Sequence, residues 1–362
     1  MDDSKNLGRL RVAVIYGGQS AEREVSAVSA RAVLQNLDAE KYEVLPIIIE
    51  EDGEWVFAEE TYKQLEVSRF ELPKTLSLKG SDIVDRSGAI QVGGNPVDLV
   101  IPMLHGPYGE DGTIQGFLEM ANIPYVGTSV LGSALCMNKI AAKNMLTSQL
   151  IPTVPFIYTR ENELVGFVDK VETIISYPCF VKPANMGSSV GITKAHDRDE
   201  LADAIETALM YDEWILVEKA VVAREIEMSV MGDQEIQVSV PGEIVPGEEF
   251  YSYSDKYVTD SAELRIPAPL AEREMAAAQE LAIRAYKALC CDGMARVDLF
   301  YEKDTGAWMV NELNTIPGFT PISMFPKLFE YSGKNYTQLL DELINIAMSR
   351  QARRESKKTL SH

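Results

Sequence analysis

Residues 179–191 read CFVKPANMGSSVG, and the order of residue types within them decides how the chain is read. Val181-Lys182 closes a short β-prone run, and Gly187-Ser188-Ser189-Val190-Gly191 follows as a flexible loop. Glycine and serine let backbone N–H groups approach phosphate oxygens closely, and serine hydroxyls add donors. Taken alone, such a loop reads as a turn. A strand-terminal lysine five residues ahead of Gly187 makes the phosphate cradle the better reading. A P-loop or dinucleotide fold is not supported. The chain has no Gly-x-x-x-x-Gly-Lys-Ser/Thr, and no Gly-x-Gly-x-x-Gly after its first strand.

Working outward toward the C-terminus, Ile215 to Glu218, Ile226 to Met231, Arg296 to Tyr301 and Trp308 to Asn311 read as strands. Helices fit at Arg198–Tyr211 and Ala271–Leu289. Asp298 lies on one of the last two strands, and Glu312 and Asn314 lie on and after the other. Alternation puts Glu312 and Asn314 on one face, away from Asn311 and Leu313. All three are hard oxygen donors of the kind Mg²⁺ takes beside substrate phosphates. Either segment alone reads as a polar strand end. Arg-Val-Asp-Leu and Asn-Glu-Leu-Asn joined by a hairpin of about 14 residues is more specific. Arg296 shares the Asp298 face and would set a fixed cation beside the metal.

Toward the N-terminus, Arg11 to Tyr16 (RVAVIY) is a β-rich run ending at Gly17-Gly18. An amphipathic helix is expected from about Ala21 to Leu37 with Ser20 as its N-cap, and Tyr42 to Glu50 reads as the next strand. The chain thus opens on a βαβ unit with a parallel sheet. Residues 51–95 are polar, contain a WVF segment and read as an insertion. Val97 to Leu104 is a buried strand running into HGPYGEDGT, Ile123 to Gly127 closes the unit, and a helical stretch spans Ser133 to Leu150. The expected class is α/β and α+β in three units, at 1–130, 131–220 and 221–362.

Bulk properties narrow the function. At 362 residues the chain is long enough for two or three domains, and 46% hydrophobic with 25% charged residues is an ordinary globular balance. No apolar run reaches the roughly 18 residues of a membrane span. The acidic opening MDDSKNLGRL is no signal peptide. A net charge of −21 argues against a nucleic-acid surface, so any anionic ligand needs local, placed cations. Cys136, Cys179, Cys290 and Cys291 lack zinc or disulfide spacing and are expected as buried free thiols in a reducing cytoplasm. The basic stretch from Arg350 to Lys358 reads as a solvated helix end or tail.

Eight segments in order carry a resemblance over nearly the whole chain: GGQSAEREVS (17–26), HGPYGEDG (105–112), MNK (137–139), KPANMGSSVG (182–191), VEK (217–219), REIE (224–227), YSYSDKY (251–257) and NELNTIPGFT (311–320). On them the sequence resembles the D-alanine–D-alanine ligases of the ATP-grasp superfamily. The resemblance implies a three-domain ATP-grasp architecture with an N-terminal parallel-sheet (pre-ATP-grasp) domain, ATP and two Mg²⁺ ions (Mn²⁺ in their stead), D-alanine as substrate and a cytoplasmic homodimer. It assigns Lys139 and Lys182 to the α- and β-phosphates, Lys256 to the γ-phosphate, and Gly187, Ser188 and Ser189 to the phosphate loop. Glu218, Lys219 and Val221 would line the adenine slot and Glu225 accept from the ribose. Asp298, Glu312 and Asn314 would carry the metal, with Glu312 bridging. Met186 stands where family members often show a polar residue, which leaves that loop's lid contacts open.

Three further residues read differently with and without the family. Glu22 by itself is an acidic residue favouring a helix N-terminus. By resemblance it orients the ammonium of the first D-alanine in a hydrogen-bonded set with Ser188 and Tyr257. His105 by default is a core or loop histidine, and in the family it helps hold the first substrate. Ser323, unremarkable alone, would bind the second substrate's carboxylate. Arg296 and the Gly318 N–H would form an oxyanion site, and Glu248 to Glu263 a lid. By the same resemblance, ligases of the superfamily that make a D-lactate ester place a histidine in that lid. The histidines here are His105, His196 and His362, none of them in it. An ester- or D-serine-forming ligase and a non-catalytic nucleotide-binding regulator are the alternatives.

Overall fold

A computed structural model of the chain describes residues 8–20, 22–57, 61, 65, 78–84, 89–245 and 263–358. Lys256, Tyr257 and all of the expected lid except Glu263 lie outside the described residues. The chain opens with β1 (Leu10–Gly17), α1 (Arg23–Asn36), β2 (Tyr42–Ile49), β3 (Trp55–Phe57), β4 (Leu78–Lys79), the short hairpin β5 (Gln91–Val92) and β6 (Asn95–Pro96), and β7 (Leu99–Met103). The sheet order is β4-β3-β2-β1-β7, with β1 parallel to both β2 and β7. Val12 to Tyr16 are fully buried because a central parallel strand is covered on both faces. The WVF segment, expected in an insertion, is instead β3, which extends this sheet antiparallel to β2.

Helix α1 begins two residues later than its sequence suggests, with Glu22 at the N-cap position. The Ser20 hydroxyl donates to the His105 carbonyl (2.7 Å) while accepting the Glu22 N–H (3.2 Å). It ties the turn to the end of β7 rather than capping the helix. After α2 (Thr113–Met120), the expected helix over 133–150 is two, α3 (Val130–Met137) and α4 (Lys139–Ser148). Asn138 is extended between them and caps α4 by accepting the Ala141 N–H at 2.8 Å, a position asparagine favours.

The second sheet is antiparallel in the order β10-β9-β11-β8, from β8 (Phe156–Arg160), β9 (Cys179–Pro183), β10 (Thr193–Ala195) and β11 (Trp214–Lys219), with α5 (Phe167–Ile174) and α6 (Arg198–Leu209) supplying its apolar cover. The third holds β12 (Ala223–Gly232), β13 (Ile236–Val238), β14 (Gly242–Val245), β15 (Glu263–Arg265), β16 (Met294–Glu302) and β17 (Trp308–Asn314). Its order is β15-β14-β12-β16-β17, with β13 pairing β12. Helix α7 (Glu272–Ala288) packs on it, together with Cys136, Ala142 and Leu146 from α3 and α4. The last helices, α8 (Met324–Tyr331) and α9 (Tyr336–Lys358), return to the first sheet, whose core takes in Phe325, Phe329, Leu339 and Leu343.

Two expectations about side chains fail here. Cys290 is exposed, whereas Cys136, Cys179 and Cys291 are buried. The basic C-terminal stretch is not simply solvated. Arg350 is 5% exposed, donates to the carbonyls of Tyr125 (2.8 Å) and Gly127 (2.7 Å), and pairs with Asp292 (3.1 Å). Its guanidinium lies over the Tyr125 ring at 4.5 Å. It links the segment leading into α3 with the turn before β16. Helical periodicity on α9 turns it inward, which a count of basic residues does not reveal. Arg354 pairs with Glu119 at 2.6 Å, but both side chains are about one-third exposed. Arg350→Met should therefore lower stability by about 3 kcal/mol, because it leaves buried acceptors unpaired. Arg354→Met should change it by less than about 1 kcal/mol. Urea unfolding of both variants beside the wild type measures the difference.

Candidate active site

The loop between β9 and β10 carries Gly187 to Gly191. Val190 N–H returns to the Gly187 carbonyl at 3.1 Å, and Ser188 and Ser189 sit at φ 50° and 61°. Such left-handed residues cost energy outside a turn whose contacts fix them. One of those contacts is a short hydrogen bond from the Ser188 hydroxyl to Glu22, at the start of α1. The Glu22 carboxylate is lodged between two glycines. A Cβ at Gly106 would stand 3.0 Å from Glu22 Oε2, and one at Gly187 3.3 Å away. Glu22 and Ser188, two members of the set that the family resemblance implies, are thus joined by a hydrogen bond. The third member of that set, Tyr257, is outside the described residues.

The cations come from α4 and β9. Lys139 Nζ donates to the Met186 carbonyl and lies 3.9 Å from Glu312. Lys182 Nζ is 2.7 Å from Glu218 Oε2, and Lys143, one turn along α4 from Lys139, is 2.9 Å from Glu218 Oε1. Burial opposes charge on Glu218, but the two lysines prevail and hold its carboxyl pKa down at about 2. Burial likewise opposes the charge on Lys182, and Glu218 reverses it, so its pKa is raised. The Glu218 side chain is thereby committed to the lysines. Beyond it, Lys219 is exposed, Val221 half-buried, and Glu225 lies on β12 opposite Phe300.

The oxygen donors meet where β16 pairs with β17. Asp298 stands opposite Glu312, and Arg296 opposite Asn314. Arg296 donates to both Asp298 oxygens at 2.7 Å and lies 3.2 Å from Glu227, and Asn314 Nδ2 donates to Asp298 at 3.0 Å. Glu227, Asp298 and Glu312 against Arg296 and Lys139 leave one negative charge in excess. Two carboxylates and an amide with that excess fit a hard divalent ion shared with phosphate oxygens. Gly318 and Ser323 follow in the loop after β17. A Cβ on Gly318 would come 2.8 Å from Ser323 Oγ, and that hydroxyl shares a 2.8 Å hydrogen bond with Thr320 Oγ1.

His105 has both ring nitrogens engaged by the protein. Nδ1–H donates to the Ile316 carbonyl (2.9 Å), so Nε2 accepts from Ser29 Oγ (3.2 Å) and the ring is neutral. Burial keeps its pKa below the ordinary value, against the pull of Glu22. In this structure it braces the Ile316–Phe319 loop rather than offering a free nitrogen to a substrate. The sequence reading missed Lys143, Glu227 and Glu110 as site residues. Glu110 lies inside the quoted HGPYGEDG motif, and Lys143 stands four residues after Lys139, the spacing that puts both on one helix face.

The family model described as D-ala D-ala ligase N-terminus matches residues 11–128, and that described as D-ala D-ala ligase C-terminus matches residues 126–345. A D-alanine–D-alanine ligase of Thermoanaerobacter sp. (strain X514) is 47% identical over 350 residues, covering 94% of this chain and 97% of that protein. One from Caldicellulosiruptor bescii is 46% identical over 361 residues, covering 97% and 98%. Among solved structures, the D-alanine-D-alanine ligase from Coxiella burnetii matches with a TM-score of 0.84 and 33% identity over 97% of each chain. The VanG D-Ala:D-Ser ligase from Enterococcus faecalis matches at 0.82 and 36%, covering 94% of this chain and 99% of that one. The three sheets described above form an ATP-grasp architecture.

Glu110 gives a measurable signature. Its carboxyl accepts the Gly106 N–H at 2.8 Å, and burial, helped by Glu22, raises its pKa from 4.5 to about 8. Between those values the folded chain holds a proton that the unfolded chain releases. The stabilisation is complete below pH 4.5 and fades as pH rises through about 8. Glu110→Gln should flatten the fall in melting temperature between pH 5 and pH 8, and melting curves at unit pH steps read it directly.

Proposed function

We propose that this chain, which belongs to the D-alanine–D-alanine ligase family, joins two D-alanine molecules into D-alanyl-D-alanine for bacterial peptidoglycan, in a reaction driven by ATP. The observation that carries the site assignment is the Ser188–Glu22 contact. It joins a phosphate-type loop to a carboxylate at the start of α1. The domain limits we propose are 1–130, 131–220 and 221–362, with a homodimer formed through the first and a cytoplasmic location.

In this reading the first D-alanine's carboxylate attacks the γ-phosphorus, giving an acyl phosphate and ADP. The amine of the second, once deprotonated, attacks that carbonyl and phosphate leaves. Glu22 orients the first ammonium, with Ser188 fixing the carboxylate's rotamer. Lys139 and Lys182 receive phosphate oxygens, and Lys256, outside the described residues, adds a third cation. Asp298, Glu312 and Asn314 would hold Mg²⁺, two ions by family resemblance, and bound Mg²⁺ would neutralise charge on the transferring phosphoryl group. Arg296, already held rigid by Asp298 and Glu227, and the Gly318 N–H form the oxyanion site, and Ser323 takes the second carboxylate. His105 acts by positioning the loop that carries Gly318.

Two measurements test this. ADP release should depend on D-alanine, and with D-alanine, D-serine and D-lactate in competition at pH 6 and pH 8 the main product should be D-alanyl-D-alanine at both. Predominant ester would reverse the assignment. Asp298→Asn and Glu312→Gln should each lower turnover at least about 100-fold with the fold retained by circular dichroism. Glu22→Gln should raise KM for D-alanine more than KM for ATP. Equal changes in both would return Glu22 to a helix-terminus role.

A further inference from the structure

Lys139 and Lys143 lie one turn apart on α4 and project toward the second sheet from the same face. Ile140 between them packs with Ala184 and Leu216, which seats the helix on β9 and β11. Lys139 reaches the Met186 carbonyl, at the phosphate-type loop. Lys143 reaches Glu218 instead, and that carboxylate also holds Lys182. Lys182 pairs with Leu216 and Phe180 with Glu218, so Lys182 and Glu218 are diagonal neighbours on one sheet face.

The two ammonium groups on this carboxylate are not equivalent. The Lys143 side chain is 2% exposed and stands 5.8 Å from the Phe156 ring, while that of Lys182 is 12% exposed. Lys182 is thus the more accessible of the two, and Lys143 is enclosed behind the carboxylate. A lysine that is the sole partner of a buried carboxylate leaves an uncompensated charge behind when it turns away, and the carboxylate resists its departure. Lys143 Nζ stands 2.9 Å from the other oxygen as an ion pair without hydrogen-bond geometry; burial lowers its pKa and Glu218 opposes that shift, so the pair keeps Glu218 compensated whether or not Lys182 remains.

We propose that Lys143 is a positioning residue for the nucleotide: by neutralising Glu218 from behind, it releases Lys182 to the incoming phosphates. The proposal rests on the ligase reading above and extends it to a residue with no contact of its own to substrate. Binding of ADP with Mg²⁺, measured by calorimetry without D-alanine, tests it on the wild type, Lys143→Met and Lys143→Met/Glu218→Gln. The single variant should bind ADP about tenfold more weakly. The double variant, with no carboxylate left to retain Lys182, should bind ADP at least about threefold more tightly than the single variant. In turnover, KM for ATP should rise in the single variant while KM for D-alanine stays within about twofold. A residue that merely stabilises the fold would lower the melting temperature without dividing the two KM values and without rescue by Glu218→Gln. Unchanged ADP affinity in Lys143→Met, or a double variant as weak as the single, overturns the proposal. Should Lys143→Met not fold, Lys143→Gln keeps a donor for Glu218 without the charge and carries the same expectation. Wild-type ADP binding without D-alanine-dependent turnover would instead count against the ligase reading and leave this test intact.

Discussion

The imidazole of His105 fixes where the end of β7 meets the loop after β17, and much of the cleft follows from that joint. Because Nδ1–H must donate to the Ile316 carbonyl, Nε2 is left to accept from Ser29, and a single neutral tautomer is selected. Ser29 in turn accepts the Phe319 N–H at 3.3 Å, and the Tyr336 hydroxyl donates to the Phe319 carbonyl from α9. Three distant parts of the chain therefore hold the short segment that presents Gly318 and Ser323. A protonated His105 could not accept from Ser29, and burial disfavours that form in any case.

The same economy governs charge. The chain carries a net −21, yet the ligand it takes is a polyanion. The cations in the cleft are accordingly held by carboxylates, Lys182 and Lys143 by Glu218, and Arg296 by Asp298 and Glu227. Buried ion pairs of this kind contribute little net stability, since desolvation offsets the attraction. What they supply is position: a guanidinium gripped through two parallel hydrogen bonds is already oriented when charge develops beside it.

Local rules account for much of what was legible in the sequence. The βαβ opening, α7 and the β16–β17 hairpin follow from periodicity, and the Asp298, Glu312 and Asn314 set follows from alternation along two strands. Short strands such as β10 and β13 have three residues each and carry too little pattern to stand out from loops. The break between α3 and α4 was hidden because both helices are apolar enough to run together, and a single asparagine divides them. Lys143 and Arg350 were missed for a related reason. A basic side chain is ordinarily solvated, and nothing within its own segment reports that a carboxylate or a row of carbonyls waits elsewhere.

The sequence by itself determined the chemistry available: a Gly/Ser loop behind a strand-terminal lysine, hard oxygen donors on paired strands, and eight segments in the order of a ligase family. Those are properties of residue type and spacing, which the chain carries whether or not it is folded. Only the tertiary structure decided which groups meet. Glu22 and Ser188 are 166 positions apart and share a hydrogen bond, and His105 and Ile316, 211 apart, share another. Whether a carboxyl is pushed toward its neutral form, as at half-buried Glu110, or held ionised, as at buried Glu218, depends on its neighbours in space, because desolvation favours the first and two lysines enforce the second.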